Sequence, residues 1–138
     1  MGYEGKSVDS FLQQLLRERI ERVIDVRSNP VSRKYGFSKS SFGRLCRRVG
    51  IDYTHLPELG IPSSLRSELG KRVTYEALFR MYERSILPER ADARKQASEL
   101  LEERASVLMC FEADAAFCHR GRLATSISAE TNLGVVHL

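Results

Sequence analysis

Short apolar runs that end in polar turns and alternate with helical stripes leave a chain few ways to fold. This sequence is built of such runs. Arg22-Val-Ile-Asp-Val26, Ile51-Asp-Tyr-Thr54 and Val107-Leu-Met109 each read as a strand. The last is continuously apolar, as expected of a strand covered by helices on both faces. Apolar residues recur at helical spacing at Val8, Phe11, Leu12, Leu15 and Leu16, then at Phe42, Leu45, Cys46 and Val49. They do so again at Tyr75, Leu78, Phe79, Tyr82 and Ile86, at Ala97, Leu100 and Leu101, and at Leu123, Ala124 and Ile127. A final strand is expected over Gly134-Val-Val-His-Leu138. The alternation predicts an α/β fold, a mostly parallel sheet with helices on both faces in a Rossmann-like three-layer arrangement.

Local signals set the element ends. Ser7, Ser38 and Thr74 are suited to cap helices, Gly50 closes the second, and Pro88 suits the start of a helix running to about Arg104. Residues 61–73 carry Pro, Ser and Gly without periodicity and read as a loop, a candidate lid. Met1-Gly-Tyr-Glu-Gly5 reads as the turn after a strand, so the first strand is expected to be missing or truncated. Such an open sheet edge would invite a second copy, and a homodimer is expected on that ground.

The 138 residues suffice for one domain, 1–138. No run approaches the ~20 apolar residues of a membrane span, and the first residues do not form a signal peptide. Three cysteines, an odd number, fit a reduced cytoplasmic setting better than a disulfide framework. The formal charge is +4. Much of the arginine lies beside glutamate on helices, as in Arg17-Glu-Arg19 and Glu102-Glu-Arg104, and reads as solvated surface. Arginines in loops are better placed for bidentate contacts to phosphate or carboxylate.

Those loop arginines gather with other reactive groups after the strand candidates. Cys110-Phe-Glu-Ala-Asp-Ala-Ala-Phe-Cys-His-Arg-Gly-Arg122 follows one strand, and Arg27-Ser-Asn-Pro-Val-Ser-Arg-Lys-Tyr-Gly-Phe37 follows another. His55-Leu-Pro-Glu-Leu-Gly60 follows the third. Ligands of open α/β sheets sit outside the carboxyl ends of the strands. If the strands are parallel neighbours, the three segments converge there. Each alone reads as an ordinary solvated loop; together they read as a site.

In order along the chain, Gly2-Tyr-Glu-Gly5, Asp25-Val-Arg27 with Asn29-Pro30 and Ser32-Arg33, Tyr53-Thr-His-Leu-Pro-Glu-Leu-Gly60, Cys110-Phe-Glu112 and Cys118-His-Arg120 resemble the domain of unknown function 488 family. The resemblance implies a compact α/β bacterial or archaeal domain and supplies no reaction. Relatives of this kind carry a strand before the Gly-Tyr segment. Many also have a second glycine after the Leu-Gly pair, where this chain has Ile61-Pro62.

Four chemistries are compatible with the segments. Arg27, Arg33, Lys34 and Arg120 could hold an anion, aided by a helix starting near residues 114–119. Acid–base work would fall to Glu112 with His119 or His55, although His55 reads equally as a structural hydrogen bond. Cys118, flanked by His119 and Arg120, has surroundings that lower a thiol pKa, but no Cys-x5-Arg phosphatase loop is present. Cys110 and Cys46 read as core. A metal on Cys110, Cys118, His119 and His55 is disfavoured, because there is no Cys-x2-Cys pair and adjacent Cys118-His119 are awkward joint ligands. No metal is expected and no cofactor is identified. No Walker loop, Rossmann glycine triplet or Gly-x-Ser-x-Gly occurs.

These readings converge on a domain binding a phosphate-bearing ligand, a nucleotide or nucleic acid, at the carboxyl edge of its sheet. Tyr3, Asp25, Arg27, Ser32, Arg33 and Arg120 form the ligand-binding set, and Glu112, Cys118, His119 and His55 the catalytic candidates. Asp25 reads equally as the partner that holds Arg27. The alternative is a non-catalytic binding or regulatory module whose polar cluster fixes the loops.

Overall fold

A computed structural model describes residues 1–67 and 74–138. Its sheet has three parallel strands, β1 (Arg22–Asp25), β2 (Asp52–His55) and β3 (Ser106–Met109), in the order β2-β1-β3. Asp25 stands beside His55 on one side and Met109 on the other, so all three strands end at the same edge. The convergence expected of the three segments is therefore met.

Side chains alternate across the sheet with period two. Val23, Val107 and Met109 face α1 (Val8–Arg17) and α2 (Lys39–Arg48), where they pack with Phe11, Leu15, Phe42 and Cys46. Ile24, Val26, Leu108 and Cys110 face the opposite layer. That layer holds α3 (Ser63–Arg66), α4 (Tyr75–Met81), α5 (Leu87–Glu89), α6 (Ala91–Glu103) and α7 (His119–Thr131). Tyr82, Ala97, Leu123 and Ile127 fill its core. The result is a three-layer α/β domain.

Caps fall where sequence places them. The Ser7 hydroxyl accepts from the Ser10 amide at 3.1 Å, and Thr74 from Ala77 at 3.2 Å. Ser38 does otherwise: its hydroxyl exchanges two 3.1 Å bonds with the backbone of Ser32 and so pins the loop after β1. The helix entered at Tyr75 widens into a π-helical stretch, Tyr82–Ile86, just before Pro88. Proline lacks the amide that a regular turn needs there, which accounts for the change.

Two expectations are corrected. Gly134–Leu138 is not a strand. Helix α7 ends at Asn132 in the left-handed conformation, φ 61°, and Ser128 donates to the Leu133 carbonyl, turning the tail away. The free side of β3 is already used, because Met1 and Tyr3 bond to Leu108 and Cys110 there. The loop expected over 61–73 contains the helical turn α3; the rest of that lid reading, 68–73, lies outside the described residues. No helix among the described residues is long and apolar enough to cross a membrane.

Candidate functional site at the carboxyl edge

β1 is flanked by β2 on one side and β3 on the other, so the chain reverses direction across the sheet at the β1–β3 boundary. Such a switch point opens a crevice beyond the strand ends. A cavity of about 280 Å³ lies in this position, between the loop after β1 and the first residues after β3. Arg27, Arg33 and Arg66 line it with Tyr3, Ser28, Asn29, Ser32, Ser63 and Cys110, beside the apolar Val31, Ile61 and Phe111. No carboxylate is among its described lining residues.

One wall is a closed network. The Asp25 side chain is fully buried at the end of β1. Its oxygens accept from the Arg27 amide at 3.1 Å, from Arg27 Nε at 2.8 Å and Nη2 at 2.6 Å, and from the Tyr53 hydroxyl at 2.5 Å. Arg27 spends Nη1 on the Tyr3 hydroxyl, 3.0 Å away, and the Phe37 carbonyl, 2.8 Å away. Burial works against the Arg27 charge, yet Asp25 raises its pKa above the ordinary value. Burial, then Asp25, pushes the Tyr53 hydroxyl up as well, so it stays protonated and donates. Asp25 is the partner that holds Arg27. Tyr3 stacks on Phe37 with centroids 4.2 Å apart, fixing the cavity rim.

Behind the cavity, joined to it through Arg66 and Cys110, lies a second cluster. Cys110 donates to Glu112 Oε2 at 3.2 Å, and Arg66 Nη1 pairs with Glu112 Oε1 at 2.9 Å. Arg66 Nη2 is 3.1 Å from His119 Nδ1. His119 Nε2 lies 3.0 Å from the Val26 carbonyl, which only accepts; Nε2 therefore carries the proton and Nδ1 presents its lone pair to the cluster. The sulfurs of Cys110 and Cys118 lie 3.7 and 3.9 Å from Nδ1. All four donor atoms of Cys110, Glu112, Cys118 and His119 fall within 4.8 Å of one another, which makes them the residues able to hold a metal.

The two thiols diverge. Cys110 is drawn well below the ordinary thiol range, first by the Cys118 thiol donating to it and then by His119 and Arg66, against burial. Cys118 is pushed up by burial and then by its neighbour Cys110. The readily ionised thiol is thus Cys110, which position inside an apolar run had marked as core.

The structure places the other expected residues unevenly. Ser32 and Arg33 line the cavity; Arg33 is exposed and has no hydrogen bond among the described residues. Lys34 reaches back to the Tyr3 carbonyl at 3.2 Å. His55 Nε2 holds the Arg27 carbonyl at 2.8 Å and lies outside the cavity lining. Arg120 is buried beneath the cluster, its guanidinium donating to the carbonyls of Glu112 and Ala113 rather than lining the cavity beside Arg33. Arg66 had no signal in the sequence, since a lone arginine in an aperiodic segment looks like any surface charge.

The family described as domain of unknown function DUF488 matches residues 7–127, most of the chain. No curated protein and no solved structure matches it. With the fold and all the signature segments except the first, Gly2–Gly5, inside the matched span, the chain belongs to the DUF488 family.

Proposed function

We propose that this domain binds a phosphate-bearing small molecule, such as a nucleotide, in the cavity at the carboxyl edge of its sheet. The observation that carries the reading is the lining: three arginines, four hydroxyl-bearing residues and no carboxylate among the described residues, beside the apolar Val31, Ile61 and Phe111, around about 280 Å³. Arg33, with no bond among the described residues, and Arg66, tied to one Glu112 oxygen, are the cations that turn to the ligand. Guanidinium groups suit a phosphate because they offer paired, charge-assisted N–H donors. Arg27 acts by position, since Asp25 already compensates its charge. Ser28, Ser32 and Ser63 supply neutral donors. Turnover would draw on Cys110, the member of the Cys110–Glu112–His119 cluster that lines the cavity.

A second reading, a binding module whose polar cluster only fixes the loops, is favoured by the closed Asp25–Arg27–Tyr53–Tyr3 network. The two readings share the ligand and differ in whether it is transformed.

Thermal shift against inorganic phosphate, mononucleotides and phosphorylated sugars tests the shared claim on wild type, Arg33→Ala and Arg66→Ala. A ligand at 100 times its Kd adds about 2.7 kcal/mol to the native state, a rise of several degrees. The expected result is such a rise with one phosphate class, lost in both variants and kept in the surface control Arg80→Ala. An equal rise in all four proteins, or none in any, would overturn the reading.

A further inference from the structure

We propose that Cys110, Glu112, Cys118 and His119 form a binding site for one thiophilic divalent cation, with zinc as the reference ion. The site is made by this cluster alone, whether or not the neighbouring cavity takes a phosphate.

Geometry is the first support. A tetrahedral site with Zn–S near 2.3 Å and Zn–N near 2.0–2.1 Å separates its donor atoms by about 3.5–3.8 Å. The two sulfurs stand 3.7 and 3.9 Å from His119 Nδ1, and all four donors lie within 4.8 Å of one another. Adjacent residues act together because Cys118 is extended, φ −133° and ψ 137°, while His119 opens α7. The backbone turns between them, and both side chains reach the same point. This removes the objection that neighbouring ligands are awkward.

The histidine is prepared as a ligand. Its Nε2 proton is fixed on the Val26 carbonyl at 3.0 Å, which leaves the Nδ1 lone pair facing the sulfurs; Arg66 Nη2 now donates to it at 3.1 Å, a contact the ion would replace while Nη1 stays on Glu112. An outer hydrogen bond of this kind sets the tautomer and the ring orientation of metal-bound histidine.

Charge is the independent support. Two thiols and a carboxylate meet in a buried pocket, with Cys110 and Glu112 only 3.2 Å apart. Two bare anions at that distance in a low-dielectric interior are untenable without a cation between them. Protons meet that need in one state, a divalent ion in the other. With both thiolates, the Glu112 carboxylate and one divalent cation, the cluster carries a single negative charge, and Arg66, already 2.9 Å from Glu112, neutralises it. Binding would release the two thiol protons to solvent and leave Arg66 on Glu112. Cys110 also lines the cavity, so the ion has a way in.

The test uses the reduced, metal-stripped full chain in phosphate-free buffer, so that its outcome is independent of the anion reading. Zinc is titrated against a chromophoric chelator, and cobalt(II) is added separately as a spectroscopic probe. The expected result is one equivalent of zinc and a tetrahedral cobalt spectrum with near-ultraviolet charge-transfer bands from two thiolates. Cys118→Ser should lower those bands and weaken zinc by more than the roughly 10–100-fold that loss of an outer partner costs. Cys46→Ser, which alters a thiol on the far face of the sheet, should change neither. Wild type alone decides if Cys118→Ser does not fold: no stoichiometric zinc, or cobalt without thiolate bands, would overturn the site. Bands lost equally in Cys46→Ser would overturn it too.

Discussion

At the scale of single residues, the account rests on how completely buried charges are paired. Asp25 and Arg27 are both buried and satisfy each other. Removing one partner strands the other charge, at a cost of about 3–5 kcal/mol. Arg27→Ala should therefore lower the denaturation midpoint strongly, as measured by urea unfolding at neutral pH. Cys46 gives a pH signature. Burial pushes its thiol from 9.0 up to about 12. The unfolded chain ionises this thiol first, so its contribution is intact below pH 9 and is lost as pH rises toward 12. Comparing the stability of wild type and Cys46→Ala from pH 8 to 11 should show a steeper fall in wild type. Residue identity alone could not separate Cys46 from Cys110: both lie in apolar stripes and both are buried. What distinguishes Cys110 is its neighbours Glu112, Arg66 and His119, contacts made only by the folded chain.

At the scale of elements, the three strands and most helices were legible because their apolar residues follow period 2 or 3.6 and their caps are local. The C-terminal strand was not. A strand needs an edge to pair with, and residues 1–3 hold the edge of β3. The placement of Arg120 was hidden for a related reason. Its position at the start of α7 is readable from sequence, but the side of the helix facing the Glu112 and Ala113 carbonyls depends on packing. The loops after β1 and β2 meet at Gly60, where a Cβ would collide with the backbone of Ser28. Gly60→Ala should cost about 1–3 kcal/mol through overpacking and displace the loop that carries Ser28 and Arg33. Urea unfolding checks the first effect, and loss of the phosphate-induced thermal shift checks the second.

For the molecule as a whole, one sheet divides two cores, and the parallel order β2-β1-β3 brings every reactive segment to one edge. The site is therefore a consequence of topology, with its parts more than eighty residues apart in the chain between Arg27 and Cys110. A cavity of about 280 Å³ admits a single phosphate-bearing group. A ten-residue oligonucleotide should accordingly bind no more tightly than its mononucleotide when both are titrated at fixed salt. Whether this edge is where the domain meets its ligand is decided by mapping amide chemical shifts during a titration with the phosphate ligand. Changes should be confined to Ser28, Ser32, Arg33, Ser63 and Arg66 with their immediate neighbours. Changes centred instead on the tail at Leu133–Leu138, or spread over the helical arginines, would contradict that placement.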